Sequence, residues 1–199
     1  GMDALAHNLE AYCAPFYHPL AAGIGLEGMR LVKDNLAKAV KKPKDLDARG
    51  NMLVASAMGA TAFQRGLGGI HALAHPFGGL YDAHHGLLNG IIMPYVLKAN
   101  RRKIEKDIER AAAYLGIKGG FQGFHEAVMQ LRSKLNIPAN LSAMLNSLQL
   151  GFKTLAIEQR SSEVWGLLGQ VKTEFGKFGE VVEAAKKSID AAAKKFDDV

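Results

Sequence analysis

The chain has 199 residues, of which 48% are hydrophobic and 22% charged, so its composition is that of a globular domain and excludes a disordered or fibrous chain. Its single cysteine, Cys13, can form neither an internal disulfide nor a thiolate metal site, and we therefore expect a reducing compartment, the cytoplasm. The net charge of +6 comes mainly from two short basic runs, 41–44 and 101–106, which lack aromatic residues for stacking on bases, so we expect no nucleic-acid binding.

Helical periodicity runs through the whole sequence. Apolar residues recur at spacings of three and four and no segment alternates with period two, so we predict an all-α fold without strands. In chain order, the pattern predicts helices at about 3–13, 19–40, 46–65, 69–75, 84–98, 102–115 and 121–135, with several more from 140 onward. No predominantly apolar stretch reaches the roughly 20 residues that a bilayer requires, and we expect neither a membrane span nor a signal peptide.

The pattern changes near residue 140, which predicts two parts, 1–140 and a helical tail at 141–199. In the tail, apolar residues from Val164 to Phe196 alternate at spacings of four and three, so one side of a helix is apolar. Such a face must be covered. Packing against residues 1–140 is one interpretation, and a homo-oligomer formed through the tail is the other.

Carboxylate and imidazole groups recur at helical spacing in the first part. Asp3 and His7 are four residues apart, as are His71 and His75, and His84 and His85 follow shortly afterwards. Residues four apart on a helix project from the same face. A carboxylate combined with imidazoles suits a divalent first-row metal such as Fe²⁺ or Zn²⁺, whereas the absence of thiolate ligands argues against a zinc finger or an iron–sulfur cluster. The pattern therefore indicates a metal site with room for an exchangeable ligand.

These segments resemble the two metal-binding signatures of the iron-containing (group III) alcohol dehydrogenases. The matching stretches are Asp3-Ala-Leu-Ala-His7, then Gly-Ile-His71-Ala-Leu-Ala-His75-Pro-Phe-Gly, then His84-His85-Gly86. The resemblance implies a helical bundle like the C-terminal domain of that family for residues 1–140. It also implies four metal ligands, Asp3, His7, His71 and His85, and a catalytic role for His75 beside the substrate and the nicotinamide. It assigns no role to His84.

The same resemblance implies a reaction and its partners. The family oxidises small-molecule alcohols or reduces aldehydes by hydride transfer with NAD or NADP, which a preceding nucleotide-binding domain holds. The glycine cluster at 66–69 has neither a preceding strand nor the spacing of a phosphate-binding loop. We therefore expect the chain to bind a divalent metal, Fe²⁺ or Zn²⁺, to use NAD(P) only with a separate nucleotide-binding domain, and to be inactive alone.

The tail resembles another family. Residues 160–165 (Arg-Ser-Ser-Glu-Val-Trp) and 172–179 (Lys-Thr-Glu-Phe-Gly-Lys-Phe-Gly) are similar to the C-terminal helical segment of the RmuC family, which is associated with DNA recombination. The tail carries no carboxylate cluster suited to Mg²⁺, so we do not transfer a DNA function. We interpret the chain as a junction of two fragments, either a natural fusion or an assembly artefact.

Two alternatives remain open at this level. The chain could be a non-catalytic helical oligomerisation or interaction module, in which the histidines are a relic. It could also be a hydrolase that uses a metal-bound water, although His75 is the only candidate for the general base that such chemistry needs.

Overall fold

The computed structural model describes residues 1–141, which form a bundle of α-helices. In chain order these are α1 (Met2–Cys13), α2 (Pro19–Lys41), α3 (Leu46–Ala62), α4 (Gly69–Tyr81), α5 (His85–Tyr114) and α6 (Gly120–Lys134), with one 3₁₀ turn (Phe63–Arg65) after α3. Within this part of the chain there is no strand, so the all-α prediction is confirmed. The predicted tail and its apolar face lie outside the described residues.

Local sequence signals set several helix starts. Helix α2 begins with Pro19, and the His18 side chain accepts a hydrogen bond from the backbone N–H of Ala21 (3.2 Å). Asp45 caps α3 in the same way through the N–H of Ala48 (3.0 Å). His84 caps α5 by accepting from the N–H of Leu87 (3.2 Å). Two of the seven histidines are thus helix caps.

Helix α1 lies at the centre of the bundle and contacts α2, α3, α4 and α5. The fully buried Asn8 ties it to α3, because its Nδ2 donates to the carbonyl oxygens of Ala4 (2.7 Å) and Ala55 (2.9 Å). A Cβ atom at Gly28 of α2 or at Gly59 of α3 would enter the space of the Asn8 amide. These glycines let three helix backbones come close around one polar side chain.

Two predicted helix boundaries are wrong. Helix α4 does not end at residue 75 but continues through Pro76 to Tyr81, and the chain turns at Asp82, whose φ of 49° is left-handed. Pro76 removes only one backbone donor, a local loss that the rest of the helix tolerates. The helices predicted at 84–98 and 102–115 are one helix of 30 residues, α5, because residues 99–101 (Ala-Asn-Arg) contain neither proline nor glycine to end it.

No helix among residues 1–141 combines the length and the apolar character that crossing a bilayer requires.

Candidate metal centre

Three helices supply the residues expected to bind a metal. Asp3 and His7 lie one turn apart on α1, His71 lies in the first turn of α4, and His85 is the first residue of α5. The four-residue spacing on α1 puts Asp3 and His7 on one face. The contacts of α1 with α4 and α5 bring the other two residues to that face.

Polar atoms of the four side chains converge. Asp3 Oδ1 lies 3.3 Å from His71 Nε2 and 3.2 Å from His85 Nε2, and Asp3 Oδ2 lies 3.6 Å from His7 Nδ1. The His7 and His71 rings stack with centroids 4.5 Å apart. One ligand-capable atom from each of Asp3, His7 and His71 lies within 4.8 Å of the other two. His85 joins this group through its contact with Asp3.

The spacing and the chemistry of these donors fit a divalent first-row metal. Ligand atoms about 2.1 Å from a tetrahedral metal lie about 3.4 Å from one another, and the separations from Asp3 are 3.2 to 3.6 Å. One carboxylate and three imidazoles suit Fe²⁺ or Zn²⁺. The side chain of His71 is 2% exposed, whereas those of Asp3 and His85 are 33% and 40% exposed. The centre is therefore closed at His71 and open to small molecules beside Asp3 and His85.

Two buried polar residues that the sequence analysis missed support this group. Glu10 of α1 accepts hydrogen bonds from His71 Nδ1 (2.5 Å) and from the backbone N–H of Ile70 (2.6 Å). Asn89 of α5, fully buried, donates from Nδ2 to Asp3 Oδ1 (2.6 Å). Their spacing carried a signal, because Glu10 follows His7 by three residues and Asn89 follows His85 by four, so each lies on the face of its predicted ligand.

The metal-free centre holds a proton on His71. Burial, the largest effect, lowers the pKa of His71, but hydrogen bonds to Asp3 and Glu10 outweigh it and raise this pKa to about 9. The bond from His71 is also the main reason why the pKa of Asp3 falls to about 2. Burial lowers the pKa of His7 against the opposing charge of Asp3. At neutral pH the Asp3 carboxylate is ionised and His7 is neutral, whereas His71 is protonated.

This charge state predicts that protons compete with metal at His71. A metal ligand must be deprotonated, so below the His71 pKa of about 9 the Zn²⁺ affinity should rise about tenfold per pH unit. Titrations between about pH 6.5 and 8 with a competing chelator measure this slope. Calorimetry in buffers of different ionisation enthalpy should show about one proton released per metal bound near neutral pH.

A Zn²⁺ affinity that does not change with pH would contradict this prediction. Because the pKa of Asp3 is about 2, its carboxylate is ionised across this range and does not supply the released proton. An affinity that is flat from about pH 6.5 to 8, after correction for metal binding by the chelator, would show that His71 is neutral in the metal-free chain.

The remaining histidines separate into one residue at the centre and three with other partners. His75 is exposed, and its ring centroid lies 5.3 Å from that of His85 and 5.7 Å from that of His71. His84, to which we assigned no role, caps α5. His18 caps α2, and His125 Nε2 donates to the carbonyl oxygen of Pro94 (3.1 Å). Of these four, His75 alone borders the predicted ligands.

A groove of about 670 Å³ borders Glu10. Its lining includes Glu10 and Ile70, but none of the four predicted ligands and not His75. This groove therefore does not mark the candidate site, and we locate the site by its donor atoms.

Comparisons with known proteins point to one family for this part of the chain. A family model described as the Fe-containing alcohol dehydrogenase family, C-terminal, matches residues 1–156. The 4-hydroxybutyrate dehydrogenase of Cupriavidus necator is 47% identical over 105 residues, covering 50% of this chain and 28% of that protein. The NAD-dependent methanol dehydrogenase of Bacillus methanolicus is 40% identical over 101 residues, covering 50% of this chain and 26% of that protein.

A solved structure supports the fold. The crystal structure of a 1,3-propanediol oxidoreductase superposes with a TM-score of 0.68 at 33% identity, covering 71% of this chain and 39% of that chain. A separate partial match is to a DNA recombination protein RmuC homolog of Xylella fastidiosa, 59% identical over 61 residues, or 31% of this chain and 13% of that protein. The chain thus spans between 26% and 39% of the length of the three dehydrogenases and oxidoreductases described here.

Proposed function

The chain belongs to the iron-containing alcohol dehydrogenase family, and from this membership we propose that it provides the metal-binding and alcohol-binding part of an NAD(P)-dependent dehydrogenase. The observation that carries the proposal is the convergence of one carboxylate and three imidazoles from three helices, with 3.2 to 3.6 Å between Asp3 and each histidine. The substrate class is a small alcohol or aldehyde, as the names of the relatives indicate.

Asp3, His7, His71 and His85 are the proposed metal ligands. A divalent metal held there, Fe²⁺ or Zn²⁺, would act as a Lewis acid on the substrate oxygen. The Asp3 carboxylate supplies the negative charge that a cation needs, and the three imidazoles supply neutral donors once His71 has lost its proton. Asn89 holds the Asp3 carboxylate in place through a 2.6 Å hydrogen bond.

His75 is the proposed catalytic group. Its exposed imidazole lies next to His85 and His71, on the open side of the centre. From there one ring nitrogen can accept the hydroxyl proton of an alcohol and pass it to water, which is the usual task of a general base. A general base is useful only where a substrate hydroxyl can reach it, and the exposure of His75 meets that condition.

Hydride transfer also needs a nicotinamide, which we propose comes with a nucleotide-binding domain. One relative is named as NAD-dependent. On helix α4, Leu73, Leu80 and Tyr81 are 50%, 76% and 48% exposed, and Leu67 just before it is 41% exposed. We propose that the nucleotide-binding domain covers these apolar side chains and excludes water from the centre, and that the 199 residues alone do not oxidise alcohols.

The test has a binding step and a turnover step. The chain loaded with Co²⁺, whose visible spectrum responds to its ligands, should show a spectral change on addition of a primary alcohol. All 199 residues joined behind the nucleotide-binding domain of a related dehydrogenase should produce NADH or NADPH, whereas the chain alone should not. Stoichiometric metal without either response would contradict the dehydrogenase proposal.

The interaction-module alternative is not favoured, because the match over residues 1–156 is to a dehydrogenase family. The hydrolase alternative finds no support in the names of the dehydrogenase relatives. A homo-oligomer formed through the tail stays a prediction, and size measurement of the full chain against a chain ending at residue 141 tests it.

A further inference from the structure

We propose that Glu10 is a positioning residue of this centre, which holds the His71 ring in the tautomer and orientation that leave Nε2 free for a metal. The inference rests on the proposed function, because it concerns a ligand of the proposed metal. It adds a residue outside the predicted ligand set, and one that the sequence analysis did not single out.

Both carboxylate oxygens of Glu10 are buried and hydrogen-bonded. Its side chain is 6% exposed, and both oxygens are engaged, one by His71 Nδ1 at 2.5 Å and the other by the N–H of Ile70 at 2.6 Å. His71 itself is 2% exposed, so water does not compete for the ring. A buried carboxylate is costly unless hydrogen bonds compensate it, and here each oxygen has one.

The hydrogen-bonding chemistry of the pair defines the His71 tautomer. An ionised carboxylate only accepts hydrogen bonds, so the nitrogen that faces it, Nδ1, must carry the hydrogen. When the ring is neutral, Nε2 then has the free lone pair, and Nε2 is the atom 3.3 Å from Asp3 Oδ1. A carboxylate behind a ligating histidine also increases the basicity of the ring. Glu10 therefore acts on the metal through His71 without touching the metal.

The second oxygen of Glu10 ties the position of His71 to α1. Helix α4 begins after Gly68, which has no side chain to cap it, and Glu10 instead accepts from the N–H of Ile70 in the first turn. A Cβ atom at position 68 would lie 3.0 Å from Glu10 Oε1, so the glycine leaves room for the carboxylate. Glu10 thus fixes both the ring of His71 and the start of its helix relative to Asp3 and His7.

A Glu10→Gln variant separates positioning from a merely structural role. Glutamine has nearly the same shape and can keep the bond from Ile70 through its carbonyl oxygen. Its NH₂ group then faces His71 Nδ1 and favours the opposite tautomer, with the hydrogen on Nε2. A structural role predicts an unchanged metal affinity, because the volume and the cap are kept. The positioning role predicts a loss of about 10- to 100-fold in Zn²⁺ affinity.

The experiment compares Zn²⁺ affinity for the full chain, for Glu10→Gln and for Glu27→Gln. Glu27 is a matched control, because it is a glutamate on α2 that pairs with Arg30 away from the centre. Two-bond ¹H–¹⁵N spectra of the histidines in the metal-free chain, at alkaline pH where the rings are neutral, should show His71 with its hydrogen on Nδ1. In Glu10→Gln that hydrogen should move to Nε2. Glu27→Gln should match the unmodified chain in both measurements.

A second variant tests the role of Glu10 independently, in case Glu10→Gln does not fold. Gly68→Ala, just before α4, keeps Glu10 but pushes on its carboxylate, and it should also weaken Zn²⁺ binding. Gly79→Ala, on α4, meets no atom within 4 Å and should not. Glu10→Gln binding Zn²⁺ within about twofold of the unmodified chain, with unchanged histidine spectra, would overturn the inference alone. Absence of metal binding by the unmodified chain would instead overturn the proposed function and this inference with it.

Discussion

Replacing His85 with Asn should abolish stoichiometric metal binding, while the same change at the neighbouring His84 should leave it intact. His85 Nε2 lies 3.2 Å from Asp3 Oδ1, and a shorter amide side chain cannot put a donor there. His84 caps α5, a role that Asn performs well. We expect His85→Asn to lose more than about 100-fold in affinity, beyond the range for residues that only support a ligand.

Competition titration with Zn²⁺ and metal analysis after dialysis measure this pair. His85 is 40% exposed, so its loss should leave the fold intact, which thermal unfolding of both metal-free variants checks. Equal losses in the two variants would mean that the cluster acts through the stability of α5. Equal retention would remove His85 from the ligand set.

Gly28→Ala should destabilise the chain by about 2 kcal/mol, whereas Gly23→Ala on the same helix should stabilise it by about 0.5 to 1 kcal/mol. A Cβ at position 28 would overlap the Asn8 amide, which is fully buried and held by two hydrogen bonds, so it cannot swing aside. A Cβ at position 23 meets no atom within 4 Å, and there alanine only improves helix propensity. Urea unfolding of the metal-free variants measures both changes.

The two substitutions should change the free energy of unfolding in opposite directions. The two substitutions add the same methyl group to the same helix, so a difference between them reports the contact with Asn8. If Gly28→Ala were neutral, α2 would have room to move away from α1, and the close packing around Asn8 would not be needed for stability.

The pairing of Asp3 with His7 could be predicted from the sequence, because an α-helix repeats every 3.6 residues. Asp3 and His7 share a face of α1 whatever the rest of the chain does. The prediction of an all-α fold followed from the same periodicity. The predicted boundary at residue 75 is wrong because the local cost of Pro76 is small enough for the rest of the helix to tolerate. The one near residue 100 is wrong because no helix-breaking residue stands there.

The supporting residues were missed for a different reason. A buried glutamate and a buried asparagine look like ordinary polar positions until their partners are known. Glu10 meets His71 across 61 positions of chain, and Asn89 meets Asp3 across 86. Their spacing places each on the face of a predicted ligand of its own helix, but it does not identify the partner on another helix, since that contact depends on how α1, α4 and α5 pack.

The sequence alone determined the types of donor, their pairing at helical spacing and the family to which they belong, because these are properties of residue identity and of a fixed helical repeat. Only the tertiary structure decided that Asp3 meets His71 and His85 within 3.3 Å, that Glu10 stands behind His71, and that His84 faces its own helix. These outcomes depend on the approach of separate helices, which small residues such as Gly28, Gly59 and Gly68 permit. Contacts between distant segments arise from the packing of the whole bundle, and no short stretch of sequence specifies them.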